Sequence, residues 1–113
     1  MELTQKKCIP CEKGTTPFNE TEIKAYARKL RAKWDVEDGK KIKRKFKFTD
    51  FRETIAFVNR IAEVAEEERH HPDLFITWNI LEVTLWTHAI GGLSENDFIL
   101  AAKIDELYER IPR

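Results

Sequence analysis

Between residues 51 and 68 the chain reads FRETIAFVNRIAEVAEEE, and its apolar positions recur at a helical period. Projected at about 100° per residue, Phe51, Thr54, Ile55, Phe57, Val58, Ile61, Ala62, Val64 and Ala65 share one half-circle. Arg52, Glu53, Asn59, Arg60, Glu63, Glu66 and Glu67 fill the other. An amphipathic helix follows, opened by the capping spacing of Asp50 and Glu53. Its expected end is Pro72, which disfavours helical geometry at His71.

The flanking segments change period. Asn19 and Glu22 repeat the capping spacing, with Phe18 and Ile23 as a hydrophobic staple, so a helix is expected from about Glu20 with Ile23, Tyr26, Ala27 and Leu30 buried. Alternation then takes over. Asp38-Gly39 is a two-residue hairpin signal, with Trp34 and Val36 before it and Ile42, Phe46 and Phe48 after it facing one way. From Leu74 to Thr87 the pattern is again that of strands, too long for one, so a break near Asn79 is expected. Leu81, Val83, Leu85 and Thr87 alternate there with Glu82, Thr84 and Trp86. After Gly91-Gly92, Ser94 and Asp97 form a third capping pair, stapled by Leu93 and Phe98, that opens a last helix to about Arg110. The order α-β-β-α-β-β-α predicts an α+β fold, a four-stranded antiparallel sheet with three helices on one face. Residues 1–17 show no periodicity and are expected as an irregular arm before a domain over 18–113.

Composition narrows the function. The length of 113 residues fits one domain with one core. Twenty basic and twenty acidic side chains cancel, leaving no long-range field to gather nucleic acid or anionic lipid. The basic run KKIKRKFKF changes nothing, because Phe46 and Phe48 share a face with Ile42 and belong in the core, with the lysines guarding a strand. No nucleic acid partner is expected. Nor is a membrane, since LFITWNILEVTLWTHAI is interrupted by Asn79, Glu82 and Thr84. MELTQKK has no apolar signal core, and with only Cys8 and Cys11 the expected address is a reducing cytoplasm.

The three histidines admit three readings. His70 and His71 could complement the negative end of a helix dipole, with His88 a polar residue at a strand end. Cys8 and Cys11 could meet two histidines around zinc, although a lone CxxC is half a site and adjacent histidines point apart. Metal-free acid–base chemistry is the third: imidazole titrates near pH 6.5, so two in one pocket can hold one proton to give and one place to accept.

A wider constellation bears on this choice. Glu66, three residues, His70-His71-Pro72, five residues, Trp78, nine residues, His88, eight residues and Asp97 resemble the signature of the pterin-4a-carbinolamine dehydratases. Trp34, FKFTDF, AEEERHHP, VTLWTH and GLSENDF also resemble that family, in order, so the likeness runs from about Phe18 to Tyr108. It implies the same α+β fold and the dehydration of a 4a-hydroxytetrahydropterin to the quinonoid dihydropterin, with neither metal nor cofactor. Tetrahydrobiopterin recycling for aromatic amino acid hydroxylases is the implied setting.

By the same resemblance, His70 and His88 are the implied acid–base pair, one protonating the leaving hydroxyl and the other accepting a proton from the ring-nitrogen side. His71 is implied to hold and orient the pterin, and Asp97 to hydrogen-bond His88 and fix its tautomer. Trp34 and Trp78 are candidate aromatic walls, with core packing the alternative for Trp78, and Glu66 a candidate support one turn before His70. Two positions depart from animal members, Leu74 where they commonly have Trp and Ile90 where they have Cys; neither belongs to the acid–base set. The family implies a homodimer or homotetramer. The alternative is a non-catalytic binding, assembly or transcriptional-cofactor protein on the same fold.

Overall fold

In a computed structural model that describes residues 2–112, the elements follow the expected order. They are α1 (Glu20–Ala27), β1 (Asp35–Glu37), β2 (Lys41–Lys47), α2 (Phe51–Glu68), β3 (Asp73–Thr77), β4 (Ile80–Leu85) and α3 (Glu95–Glu109), with 3-10 turns at Leu3–Gln5 and His88–Ile90. Local chemistry accounts for the helix starts. Asn19 and Glu22 exchange side-chain and backbone bonds of 2.9 Å, and Asp50 accepts from the Glu53 N–H at 2.9 Å.

The sheet is antiparallel throughout in the order β1-β2-β4-β3. Ile42 pairs with Leu85 and Phe46 with Leu81, so the period-two apolar residues of both central strands share one face. All four are buried to within 1% exposure. The helices cover that face: Phe57 and Ile61 come from α2, and Phe98, Ala101 and Ile104 from α3. Each fully buried large side chain contributes about 1.5–3 kcal/mol. The other face of the sheet carries Lys43, bonded to Glu37 at 2.6 Å and Glu82 at 3.4 Å, and the exposed Phe75.

Some edges differ from expectation. Glu37 pairs with Lys41, so the first hairpin loop includes Lys40 as well as Asp38 and Gly39, both left-handed at φ 53° and 64°. Val36 is exposed because β1 is three residues long and lies at the sheet edge. Phe51, the first residue of α2, projects past the core and is half exposed. Within the first seventeen residues, Leu3 is buried in the core and Cys8 packs against it.

Candidate active site

The helix α2 stops earlier than Pro72 requires. It ends at Glu68, and Arg69 takes a left-handed conformation, φ 55°, closing the helix with its N–H on the Ala65 and Glu66 carbonyls. His70 N–H also reaches Ala65 O, at 3.2 Å. This is a glycine's position held by an arginine, at a strain of roughly 1–2 kcal/mol. The turn carries both histidines off the helix, so they do not cap its dipole; their rings bond carboxylates instead.

His70 meets Asp97. Its Nε2 lies 2.6 Å from Asp97 Oδ1, although the resemblance had implied His88 as the partner of that carboxylate. Asp97 is completely buried at the start of α3, where its Oδ2 accepts from Ser94 N–H at 3.0 Å and from Thr87 Oγ1 at 2.8 Å. Thr87 Oγ1 lies 2.8 Å from Ser94 Oγ, completing a cluster with every buried polar side-chain atom bonded. A carboxylate at Asp97 can only accept, and the His70 bond is then donated by Nε2, with Nδ1 the ring nitrogen not engaged by Asp97.

His88 is held differently. It opens the 3-10 turn His88–Ile90, which Thr87 and Gly92 pinch at its base with a 2.8 Å bond from Thr87 N–H to Gly92 O. Only glycine fits at 92, since a Cβ there would lie 2.8 Å from the Cβ of Pro17. The His88 ring lies against Trp86, centroids 4.1 Å apart, and its Nε2 is 3.9 Å from Asp73 Oδ1. Trp86 Nε1–H donates to Asp73 Oδ2 at 2.9 Å, and Lys41 Nζ sits 4.7 Å from the centre of the indole. His71, on the exposed side, is hydrogen-bonded to Glu66.

His70, His71, Trp86, Thr87 and His88 line a cleft of about 320 Å3, with Pro10 and Cys11 from the chain's beginning on its remaining side. One nearly buried imidazole and two exposed ones thus face a single space, an arrangement suited to moving protons on a bound small molecule. A second cleft, of about 350 Å3, lies between Leu3, Leu30, Arg31 and Asp105. Its one buried charge, Asp105, is already bonded by Trp34 Nε1–H at 3.0 Å and Arg44 at 2.5 Å. Among the described residues no three of His, Cys, Asp and Glu gather so as to hold a metal ion, and no helix is long and apolar enough to cross a membrane.

The pterin 4 alpha carbinolamine dehydratase family model matches residues 16–107. The chain belongs to this family. A relative in Rickettsia bellii, provisionally named pterin-4-alpha-carbinolamine dehydratase, is 50% identical over 105 residues, covering 93% of each chain. One in Alkaliphilus metalliredigens, named in the same provisional way, is 46% identical over 104 residues, 92% of this chain and 94% of its own. Among solved structures, a transcriptional coactivator/pterin dehydratase from Brucella melitensis superposes with a TM-score of 0.76 at 35% identity, over 82% of this chain and 99% of its own. A pterin dehydratase-like RuBisCO assembly factor of the alpha-carboxysome, at 24% identity and a TM-score of 0.60, shares the fold.

Within this dehydratase-family chain, both candidate aromatic walls stand elsewhere. Trp34 is buried in the core on Asp105, and Trp78 is 66% exposed at the β3–β4 tip, left-handed at φ 49° and neither core nor wall. Trp86 is the indole in the cleft instead. Its signal was in the sequence: it has the opposite parity to Leu81, Val83 and Leu85, so it faces away from their core. Ser94 and Asn96 were also missed, being polar residues whose burial only the packing of α3 reveals, while Thr87 shares the parity of the buried Leu81, Val83 and Leu85.

Proposed function

We propose that this chain is a hydro-lyase that dehydrates a 4a-hydroxytetrahydropterin by histidine acid–base catalysis. The observation that carries the reading is the buried Asp97–His70 pair, 2.6 Å apart, opening on the cleft that also holds His71 and His88. As His70 takes the proton from the ring nitrogen beside the carbinolamine carbon, Asp97 stabilises the imidazolium that forms. His88 gives its proton to the 4a-hydroxyl, the C–O bond breaks, and water leaves with the quinonoid dihydropterin as product. Solvent then returns a proton to His88, which its exposure favours, and takes the proton from His70, which closes the cycle. His71 and Trp86 position the flat ring. General acid–base assistance of about 10²- to 10⁴-fold is asked of the pair.

Turnover of a 4a-hydroxytetrahydropterin, followed by absorbance, tests this. His70→Ala and His88→Ala are each expected to remove most of the acceleration with the fold intact by circular dichroism. A double variant as fast as the parent would overturn the mechanism.

Such an activity would serve tetrahydrobiopterin recycling in the cytoplasm. We also infer a homodimer or homotetramer, because β3 is an edge strand beside the exposed Phe75 and Trp78. The same surface supports a second reading, a coactivator or assembly role like those in the names of the Brucella and carboxysome proteins. Correctly folded protein without any acceleration would favour it.

A further inference from the structure

The cleft's remaining side comes from chain outside the family-matched segment, which begins at residue 16. Pro10 and Cys11 face the histidines there, although nothing in their stretch is regular structure. What holds them is a series of polar ties. Lys6 Nζ lies 2.7 Å from Glu95 Oε2, and Cys8 N–H donates to Glu68 Oε1 at 2.8 Å, whose other oxygen is 2.6 Å from Lys103 Nζ. Asn96 then grips the backbone of Ile9 on both sides: Ile9 N–H donates to its Oδ1 at 2.9 Å, and its Nδ2 donates to Ile9 O at 2.6 Å. An amide bonding both groups of one residue does what a neighbouring strand would do. The Ile9 side chain is 69% exposed, so it is the backbone clasp and not packing that fixes this point.

The clasp is joined to the chemistry. Asn96 is 7% exposed and directly precedes Asp97, and its Nδ2 lies 3.4 Å from Cys11 Sγ. Cys11 Sγ is in turn 3.7 Å from Ser94 Oγ, the hydroxyl paired with Thr87 above Asp97. We propose that Pro10 and Cys11, held by the ties of Lys6, Cys8 and Ile9, form a wall of the substrate cleft and that Asn96 is the positioning residue that sets it. The ligand, a reduced pterin, rests on the function proposed above; the clasp does not. Closing this side keeps solvent from the Asp97 cluster and gives the bound ring an edge formed by Pro10 and Cys11.

Alkylation by iodoacetamide, mapped by peptide mass, reads the clasp without reference to activity. Burial pushes the Cys8 thiol up to about 12, so in the parent Cys8 stays unreactive while Cys11 reports the cleft. Asn96→Ala is expected to speed Cys11 alkylation by about five- to tenfold, the scale of a lost hydrogen bond. It should raise KM for the 4a-hydroxytetrahydropterin by a similar factor and change kcat less. Ile9→Pro deletes the donated N–H from the other partner, leaves Asn96 in place, and should do the same. Saturating dihydropterin should slow Cys11 alkylation in the parent. Unchanged alkylation in both variants would overturn the clasp, and faster alkylation with an unchanged KM would overturn the wall. If the parent itself fails to turn the pterin over, the function falls, while the alkylation rates still decide whether Asn96 holds the arm.

Discussion

Two histidine–aspartate pairs flank the same cleft, and their surroundings make them different devices. His70 and Asp97 are 2.6 Å apart with side chains 11% and 0% exposed; His88 and Asp73 are 3.9 Å apart with both more than half exposed. Solvent and salt screen the second pair to a worth of about 0–1 kcal/mol. The first is locked into a network with Thr87 and Ser94, where losing one member strands the others. Burial, and not residue type, divides an imidazole fixed on its carboxylate from one open to water.

Removing each aspartate should expose that division most strongly. Asp97→Ala leaves His70, Thr87 and the Ser94 N–H without their acceptor, and a loss of about 2–4 kcal/mol in denaturant unfolding is expected. Turnover should fall at least about 10²-fold. Asp97→Asn keeps the volume and should recover part of the stability but little of the rate. Asp73→Ala should stay within about 0.5 kcal/mol of the parent and lose only a small part of its turnover. Equal losses for the two alanine variants would erase the contrast between the sides.

A smaller effect is expected on the open side at Trp86. Trp86→Ala removes the ring against His88 and the donor to Asp73, and should raise KM by about two- to tenfold, the worth of one aromatic contact. Trp86→Phe should restore most of it. Steady-state kinetics decides: if Phe performs no better than Ala, the Nε1–H bond to Asp73 matters and the ring face does not.

The same division explains what could be read from the sequence. Three capping pairs and the alternation of Leu81, Val83 and Leu85 are local signals, and each placed its element correctly. The site histidines were likewise legible as a constellation, and all three line one cleft. The choice of His70 over His88 for Asp97 was not, because it depends on how the end of α2 packs on the start of α3 and on an arginine in a left-handed turn. Trp34 and Trp78 show the same limit. Nearness to a motif does not place an aromatic: the parity Trp34 shares with Ile42, Phe46 and Phe48 points to the core where it is buried, and Trp78 sits at a hairpin tip where parity ends. The arm was opaque for a further reason, since its order comes from Glu68, Glu95 and Asn96, 60 to 89 residues away.

The smallest effect appears only in acid, and it should be confined to the closed side. Burial alone would raise the Glu68 carboxyl, but bonds from Lys103 and the Cys8 N–H outweigh it and hold it below its ordinary 4.5. The Lys6 hydrogen bond, against burial and with help from Tyr26, lowers Glu95 likewise. A lowered carboxylate contributes stability that is full above its unfolded value and lost as pH falls through the folded one. The arm's ties should therefore hold at pH 5 and loosen below 4.5. Asp105 has the opposite sign: burial raises it against the pull of Trp34 and Arg44, so its contribution is present in acid and lost as pH rises through its raised value. Amide chemical shifts followed from pH 7 to acid distinguish the two. The Cys8 N–H should titrate with a midpoint below 4.5, the Trp34 indole N–H with one above the ordinary 3.8 of an aspartate, and Glu68→Gln should abolish only the first. A Cys8 amide that stays still through this range would mean that Glu68 does not hold the arm, leaving it to Asn96 and the Lys6–Glu95 tie.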